Sequence, residues 1–183
     1  MSDYIVSFIP AKATGEIDQE TLNQCVDVIA GILYQKVSQG DKGFDPGVWS
    51  EVEVRTQITA EVFAKPSLFA PTLTEYPTGC SDYLEVLCNV CQQDVREWWA
   101  SILKLDAEKQ DYLVDQLVHP CPCGKTKVDL AALDYRDNPM YYTGFSIRMW
   151  HLFCAVCSEK KRQLLRKLEK LTGERLLMFE GYY

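Results

Sequence analysis

Residues 119–125 read His-Pro-Cys-Pro-Cys-Gly-Lys ("HPCPCGK"), and this stretch decides how the C-terminal third of the chain is organised. Two cysteines one residue apart, with a proline before each of them and a glycine after the second, disfavour both helix and strand. Gly124 lacks a Cβ at the point where the backbone has to wrap tightly. The stretch therefore predicts a loop that turns the sulfurs of Cys121 and Cys123 toward one point.

The overall composition is that of a globular protein, because 47% of the 183 residues are hydrophobic and 25% are charged. The N-terminal sequence lacks the basic and apolar regions of a signal peptide, and no apolar run approaches the roughly 18 residues that span a bilayer. We therefore expect a cytoplasmic protein with no membrane partner. In a reducing cytoplasm, eight cysteines favour metal binding, catalysis or burial over disulfides.

Charge is distributed unevenly along the chain, whose net charge is −7. Residues 1–119 carry 8 Lys and Arg against 19 Asp and Glu, a balance of −11. Residues 120–183 carry 11 Lys and Arg against 7 Asp and Glu, a balance of +4. An acidic body followed by a basic segment predicts either two surfaces with different partners or one dipolar domain.

Hydrophobic periodicity predicts an α+β fold. We expect a helix-rich acidic body with a short sheet over residues 1–118, packed as one compact unit with a small lobe over residues 119–183. The predicted helices lie at 18–37, 81–103, 106–118 and 158–171, and Gly173 follows the last of them. The predicted strands lie at 3–9, 145–153 and 175–183. Residues 51–62 alternate as in a strand with one wet face, and a helix remains the alternative there.

Three close pairs of cysteines lie at residues 88 and 91, 121 and 123, and 154 and 157. A structural zinc site takes four soft ligands, usually as two close pairs joined by a longer connection. Cys154 and Cys157 precede a basic helix, whose N-terminus favours thiolates. The predicted zinc ligands are therefore Cys121, Cys123, Cys154 and Cys157.

Residues 119–171 resemble a treble-clef zinc finger. The resemblance rests on "CPCG" at 121–124, an intervening hairpin and "CAVC" at 154–157 at the start of a helix. It implies a small lobe stabilised by Zn²⁺ and ending in the basic helix. With all four ligand positions filled by protein, such a site is structural.

Cys88 and Cys91 receive the opposite interpretation. They lie three residues apart on the apolar stripe of the predicted helix 81–103, so we expect them to pack in the core as small hydrophobes. As alternative ligands they would replace one pair of the predicted set. His119 and His151 are each adjacent to a predicted ligand pair and are further alternative ligands.

Enzyme signatures are missing from the sequence. Catalysis by a histidine would have to use His119 or His151, and both are adjacent to the predicted metal site. The zinc-deaminase pattern and the glycine-rich phosphate loops are also missing. We therefore expect a non-enzymatic protein.

Two functions remain as hypotheses. The first is an acidic protein-interaction module, such as an inhibitor, immunity or adaptor protein, that docks on a basic surface. Its candidate contact residues are Tyr141 and Tyr142. The alternative is a nucleic-acid-binding zinc module that uses the basic helix. The candidate residues for that surface are Arg148, Lys160, Lys161, Arg166 and Lys167.

Overall fold

The computed structural model describes residues 4–12, 17–38, 51–70, 85–106, 111–136, 139–150 and 158–182. The chain forms two compact units. Unit 1 comprises Met1–Val62 with Phe145–Tyr183, and unit 2 comprises Phe63–Gly144. This division differs from the predicted boundary between residues 118 and 119, because the C-terminal segment belongs with the N-terminal one. Among the described helices, none is long and apolar enough to cross a membrane.

Helices and antiparallel strands alternate along the chain, which makes the fold α+β as expected. The elements are β1 (Tyr4–Pro10), α1 (Gln19–Ser38), α2 (Glu51–Thr56), β2 (Ile58–Phe69), α3 (Arg96–Ile102), β3 (Lys104–Asp106), β4 (Asp111–Leu113), β5 (Val118–Pro120), β6 (Lys127–Asp129), a 3₁₀ turn (Leu130–Ala132), β7 (Tyr141–Trp150), α4 (Ser158–Thr172) and β8 (Leu176–Tyr182). Two strands, β2 and β7, each begin in one unit and end in the other.

In unit 1, β1 is the central strand of an antiparallel sheet with the order β7-β1-β8. Ile5 pairs with Trp150 on one side and with Gly181 on the other. The chain segments predicted as strands at 3–9 and 175–183 are confirmed by β1 and β8. The segment predicted at 145–153 is confirmed as far as Trp150, and residues 151–153 lie outside the described residues.

A single apolar core fills unit 1, where α1 and α4 bury one face each. Leu22 and Ile29 of α1 and Leu164 and Leu168 of α4 are fully or almost fully buried. These spacings are the ones that the helical periodicity predicted. The remaining core members include Val6, Phe8, Phe145, Ile147 and Met149 from the strands.

Both predicted helix ends of unit 1 are confirmed. The backbone N–H of Thr21 donates to Asp18 Oδ1 at 2.6 Å, which satisfies a free N–H in the first turn of α1. Gly173 follows α4 with φ +70°, and its N–H donates to the carbonyl oxygen of Glu169 at 2.9 Å. A left-handed residue at this position is the usual way to end a helix.

The alternating segment 51–62 contains a helix and a strand. Residues 51–56 form α2, and residues from Ile58 onward form β2. Val54 and Ile58 are both buried in the core of unit 1. A spacing of four residues is compatible with both patterns, so the alternation alone did not separate them.

The described part of unit 2 contains few long elements. Strand β4 lies between β2 and β3, and both of its pairings are antiparallel. Strands β5 and β6 form a separate two-stranded hairpin in which His119 pairs with Val128. The only long strands that enter unit 2, among its described residues, are parts of β2 and β7. Local hydrogen-bonded loops therefore make up much of this unit.

Two predicted helices of unit 2 are wrong. Within the described part of the segment 81–103, Arg96–Ile102 is helical, and residues 85–95 form a loop with isolated strand-like bridges. The segment 106–118 contains strand β4 in place of a helix. Val86 and Cys88, which are two positions apart in the sequence, are both fully buried. The predicted helical stripe did not include Val86. The expected helix-rich body is therefore not supported.

Candidate metal centre

The first cysteine pair of unit 2 lies in a tight loop, which we call loop A (residues 88–93). Leu87 and Asp94 form an antiparallel bridge that closes it. The N–H of Cys88 donates to the carbonyl oxygen of Gln93 at 3.0 Å, and the N–H of Gln92 donates to that of Cys88 at 2.9 Å. Gln92 has φ +60°, in the left-handed region. The chain thus reverses immediately after the second cysteine.

The second pair lies in loop B (residues 121–126), which connects β5 to β6. The N–H of Cys121 donates to the carbonyl oxygen of Thr126 at 2.9 Å, and the N–H of Gly124 donates to that of Cys121 at 2.9 Å. Gly124 has φ +71°, a conformation that glycine adopts without strain. The sequence prediction of a tight loop over 119–125 is confirmed from Cys121 onward, whereas His119 and Pro120 belong to strand β5.

Loops A and B have the same construction. In each, the N–H of the first cysteine donates to the carbonyl oxygen five residues later. In each, the residue directly after the second cysteine is left-handed. Two residues separate the cysteines of loop A and one separates those of loop B, and the extra residue of loop B follows the left-handed glycine. The different spacings therefore fit loops of equal span.

The sulfurs of the two loops lie close together. The Sγ atom of Cys121 is 3.6 Å from that of Cys88 and 3.8 Å from that of Cys91. All three sulfurs lie within 4.8 Å of one another. Disulfide-bonded sulfurs are about 2.05 Å apart, and these thiols are free. Sulfurs around a tetrahedral zinc ion, at Zn–S distances of about 2.3 Å, are about 3.8 Å apart. The cluster therefore has the spacing of a metal site.

Cys123 is the fourth cysteine of this neighbourhood. Its thiol interacts with those of Cys121 and Cys91 and, electrostatically, with that of Cys88. Cys88 and Cys121 are 0% and 3% exposed, whereas Cys91 and Cys123 are half-buried. Each loop therefore supplies one buried sulfur, from its first cysteine, and one partly exposed sulfur, from its second.

Backbone N–H groups of both loops point at the sulfurs. Burial acts to raise the pKa of the Cys88 thiol, but hydrogen bonds from the N–H groups of Cys91 and Val90 and from the neighbouring thiols outweigh it, and the net pKa is lowered. A hydrogen bond from the N–H of Lys125 and contact with the Cys121 thiol lower the pKa of Cys123. Such N–H donors stabilise thiolate, the form that binds metal.

Cys121 behaves differently from its neighbours. Burial raises the pKa of its thiol to about 12, although the N–H of Cys123 acts in the opposite direction. Neighbouring thiolates at this distance repel one another strongly in a buried site. Full ionisation of the cluster therefore requires a cation. Thiolate sulfur donors suit soft metals and do not suit Mg²⁺ or Ca²⁺.

The predicted ligand set is only partly described. Cys121 lies in the cluster of three sulfurs and Cys123 interacts with it, whereas Cys154, Cys157 and His151 lie outside the described residues, so their role stays a prediction. The expected hairpin between the two predicted pairs is not seen in the described residues, where β6 pairs with β5 and β7 pairs with β1. The resemblance to a treble-clef finger is therefore without structural support.

Cys88 and Cys91 do not lie on a helical stripe, because residues 85–95 are not helical. Cys88 is buried as predicted, but its neighbours include two other thiols. A signal for this site was present in the sequence: a two-residue gap between cysteines, followed by the polar run Gln92, Gln93 and Asp94. No glycine follows Cys91, and the helical spacing of the apolar residues concealed the loop.

His119 is not part of the cluster that can hold a metal. Its Nε2–H donates to the carbonyl oxygen of Gln116 at 2.7 Å, and its ring makes an edge-to-face contact with Trp98 at a centroid distance of 6.3 Å. The described side chains that lie close enough together to share an ion are the three cysteines, without His119.

The predicted tyrosine contact surface is wrong for Tyr142. This residue is only 3% exposed, and its hydroxyl lies 2.7 Å from Trp99 Nε1 and 3.0 Å from the Tyr135 hydroxyl. The Tyr135 hydroxyl donates to the carbonyl oxygen of Leu130 at 2.6 Å. Tyr142 is therefore a link in a buried hydrogen-bonded chain of unit 2, and Tyr141 beside it is half-buried.

The residues of the predicted basic surface differ in how exposed they are. Lys161 is largely buried and forms an ion pair with Glu180 at 2.5 Å. Arg148 lies in β7 opposite Ser7 of β1 and is not fully exposed. Arg166 and Lys167 are exposed on α4. The side chain of Lys160 lies outside the described residues.

Two described loops of unit 2 thus converge on one group of sulfurs. Comparison of this chain with protein-family models, with curated proteins and with solved structures found no match.

Proposed function

We propose that the protein is a non-enzymatic metal-binding protein in which Cys88, Cys91, Cys121 and Cys123 hold one Zn²⁺ ion. The observation that supports this most strongly is the convergence of three sulfurs from two separate loops at 3.6 and 3.8 Å. This spacing matches that of a tetrahedral ligand set, and the backbone N–H groups that point at the sulfurs stabilise the thiolate form that binds metal.

The proposed role of the ion is structural. Four cysteines fill a tetrahedral coordination shell and leave no position for a water or a substrate. The ion would connect loop A to loop B, which are otherwise joined through short strands and isolated bridges. Unit 2 would then gain much of its rigidity from the metal.

Two double variants separate this ligand set from the one that the sequence predicted. Cys88→Ser with Cys91→Ser removes the loop A pair, and Cys154→Ser with Cys157→Ser removes the pair that precedes α4 in the sequence. We expect purified wild-type protein to contain one zinc ion per chain by elemental analysis. The first double variant should lose it, and the second should keep it. Cys25→Ala, in the core of unit 1, is the control for loss of a cysteine elsewhere.

Opposite results for the two double variants would support the treble-clef ligand set and contradict this proposal. Protein without metal but with full stability would contradict both. Iron in place of zinc would keep the site but change the cofactor, because tetrahedral sulfur ligands also bind iron.

The function that we propose for the metal-held unit is protein interaction. Support comes from exposed apolar side chains of unit 2: Val90 is 61% exposed, Leu105 53% and Val118 48%. Val90 lies inside loop A, so a bound ion would fix its position. The acidic balance of residues 1–119 favours a partner with a basic surface. A cognate basic protein should bind wild type more tightly at low salt and should bind Val90→Asp more weakly.

A second candidate, nucleic-acid binding through α4, is supported by the exposed side chains of Arg166, Lys167 and Lys170. The ion pairs of Lys161 with Glu180 and of Arg162 with Glu159 weaken it, because they occupy neighbouring cations. Binding of a mixed-sequence duplex that falls steeply with salt, and falls further in Arg166→Gln with Lys167→Gln, would favour this candidate. Salt-independent or unmeasurable binding would exclude it.

A further inference from the structure

The four cysteines differ in accessibility in a way that the proposed structural role does not require. The buried sulfurs are those of Cys88 and Cys121, and the half-buried ones are those of Cys91 and Cys123. The accessible pair combines one sulfur from each loop. The cluster therefore has a closed side and an open edge, and Cys91 and Cys123 form that edge.

Hydrogen bonding distinguishes Cys88 from Cys91, although the edge sulfur of Cys123 also accepts a backbone N–H, from Lys125. The Cys88 sulfur accepts N–H groups from Val90 and Cys91. Each such bond withdraws electron density from a thiolate and makes it a weaker nucleophile. The Cys91 sulfur lies 3.8 Å from the Cys121 sulfur and 3.8 Å from the Gln93 side-chain oxygen, and it also interacts with the thiols of Cys88 and Cys123. Cys88 is therefore protected electronically as well as sterically.

The two edge thiols interact with each other across the loops. The residues that follow them, Gln92 and Gly124, are both left-handed turn residues. The edge sulfurs thus belong to the turns of two loops and lie within interaction range of each other. By contrast, Cys121 directly follows strand β5, and its own N–H is bonded across the hairpin.

Resting on the proposed zinc site, we propose that Cys91 and Cys123 form an oxidant-accessible modification site whose conversion to a disulfide releases the metal. The oxidant is a peroxide. One edge thiolate attacks a peroxide oxygen, the O–O bond breaks, and the products are a sulfenic acid and hydroxide. The other edge thiolate attacks the sulfenic sulfur and expels a second hydroxide as the S–S bond forms. Two protons from solvent convert both hydroxides to water.

This step leaves the metal with two ligands, those of Cys88 and Cys121. Two thiolates are too few for a stable structural zinc site, so the ion dissociates. Reduction of the disulfide by a dithiol regenerates both edge thiolates, and added zinc refills the site. Oxidation would therefore reduce the structural order of unit 2, and reduction with added zinc would restore it.

The test uses the zinc-loaded full chain and hydrogen peroxide. A chromogenic chelator follows zinc release, and differential alkylation with peptide mapping identifies the disulfide. We expect release of the bound ion together with a Cys91–Cys123 disulfide, reversed by dithiothreitol and zinc. Cys25, buried in unit 1, should remain a free thiol and serves as the internal control.

Cys91→His keeps a nitrogen ligand for zinc while it removes one edge thiol. We expect this variant to bind zinc, to lack the disulfide and to resist release by peroxide. Cys88→His makes the same ligand change on the closed side and should stay sensitive. If Cys88→His does not bind zinc, peptide mapping of the peroxide-treated wild type still shows which two cysteines form the disulfide.

The two proposals fail separately. Protein that never contains zinc contradicts the metal site before any peroxide is added. Zinc-loaded protein that keeps its metal in peroxide, or that forms its disulfide through Cys88 or Cys121, contradicts the modification site alone.

Discussion

Unit 1 and unit 2 bury their side chains in different ways. Unit 1 has one continuous core in which α1 and α4 cover strands with apolar residues such as Phe8, Phe145 and Ile147. Unit 2 instead brings together a sulfur cluster, short three-residue strands and the buried polar chain that begins at Trp99. Apolar contact is non-directional and tolerates adjustment, whereas metal ligands and hydrogen bonds need defined geometry. Unit 2 should therefore be the more easily disrupted by single chemical changes.

Metal removal should have the largest effect, and it should destabilise unit 2 while it leaves unit 1 folded. A strong zinc chelator withdraws the ion that connects loop A to loop B, at a cost on the order of several kcal/mol of folding free energy in unit 2. The core of unit 1 contains no proposed ligand among its described residues. Hydrogen exchange read by mass spectrometry should show loss of protection over residues 85–136 and retained protection over 17–38.

The control is a substitution in unit 1, which should destabilise that unit and leave the zinc site of unit 2 intact. Phe8→Ala opens a cavity in unit 1 and should cost about 3–5 kcal/mol there. Its zinc content should stay at the wild-type level. Equal loss of protection in both units on chelation would contradict the distinction between them.

A smaller effect is expected from the polar chain of unit 2. Tyr142→Phe removes the acceptor of the Trp99 Nε1–H and leaves a buried donor unpaired, which costs about 1–3 kcal/mol. Denaturant unfolding followed by tryptophan fluorescence measures the change. A double-mutant cycle with Tyr135→Phe should give a non-zero coupling energy, because the two hydroxyls are hydrogen-bonded at 3.0 Å. Additive single effects would show that the chain is not cooperative.

The smallest expected effect is a difference between the two units in the pH range over which each loses stability in alkaline solution. Burial raises the pKa of the Tyr142 hydroxyl to about 12, against hydrogen bonds from Tyr135 and Trp99 that act to lower it. Burial raises the pKa of the Cys25 thiol in unit 1 to about 11. A raised folded pKa gives stability that is complete below the unfolded pKa and is lost as the pH rises through the folded one.

The unfolded values are near 10 for tyrosine and 9 for cysteine. Unit 1 should therefore weaken from about pH 9 to 11 and unit 2 from about pH 10 to 12. Unfolding midpoints measured across this range should show the earlier decline removed by Cys25→Ala and the later one reduced by Tyr142→Phe. Identical profiles for wild type and both variants would exclude these groups as the cause.

The sequence was informative where the chain follows one periodicity from end to end. The helix capped by Asp18, the helix that precedes Gly173 and the first and last strands were all predicted within a few residues. In each, side chains at helical or alternating spacing enter the same apolar core. The cap and the glycine act locally, so their effect is visible in a short window of sequence.

Prediction failed where tertiary contacts override spacing. Leu87, Cys88, Val95 and Trp99 have helical spacing, but the bridges of Leu87 to Asp94 and to Asp134 hold this segment in a loop. Tyr142 lies in a polar stretch of sequence and is buried because Trp99 and Tyr135 supply hydrogen-bond partners. Neither contact can be read from neighbouring residues.

The sequence by itself determined that the Cys121–Lys125 part of "HPCPCGK" forms a tight loop, since Pro122 and Gly124 restrict the backbone locally. Only the tertiary structure decided which sulfurs lie beside Cys121, because proximity between residues some thirty positions apart depends on the path of the whole chain. Equivalent hydrogen bonds in loops A and B, rather than equal spacing of their cysteines, bring those sulfurs together.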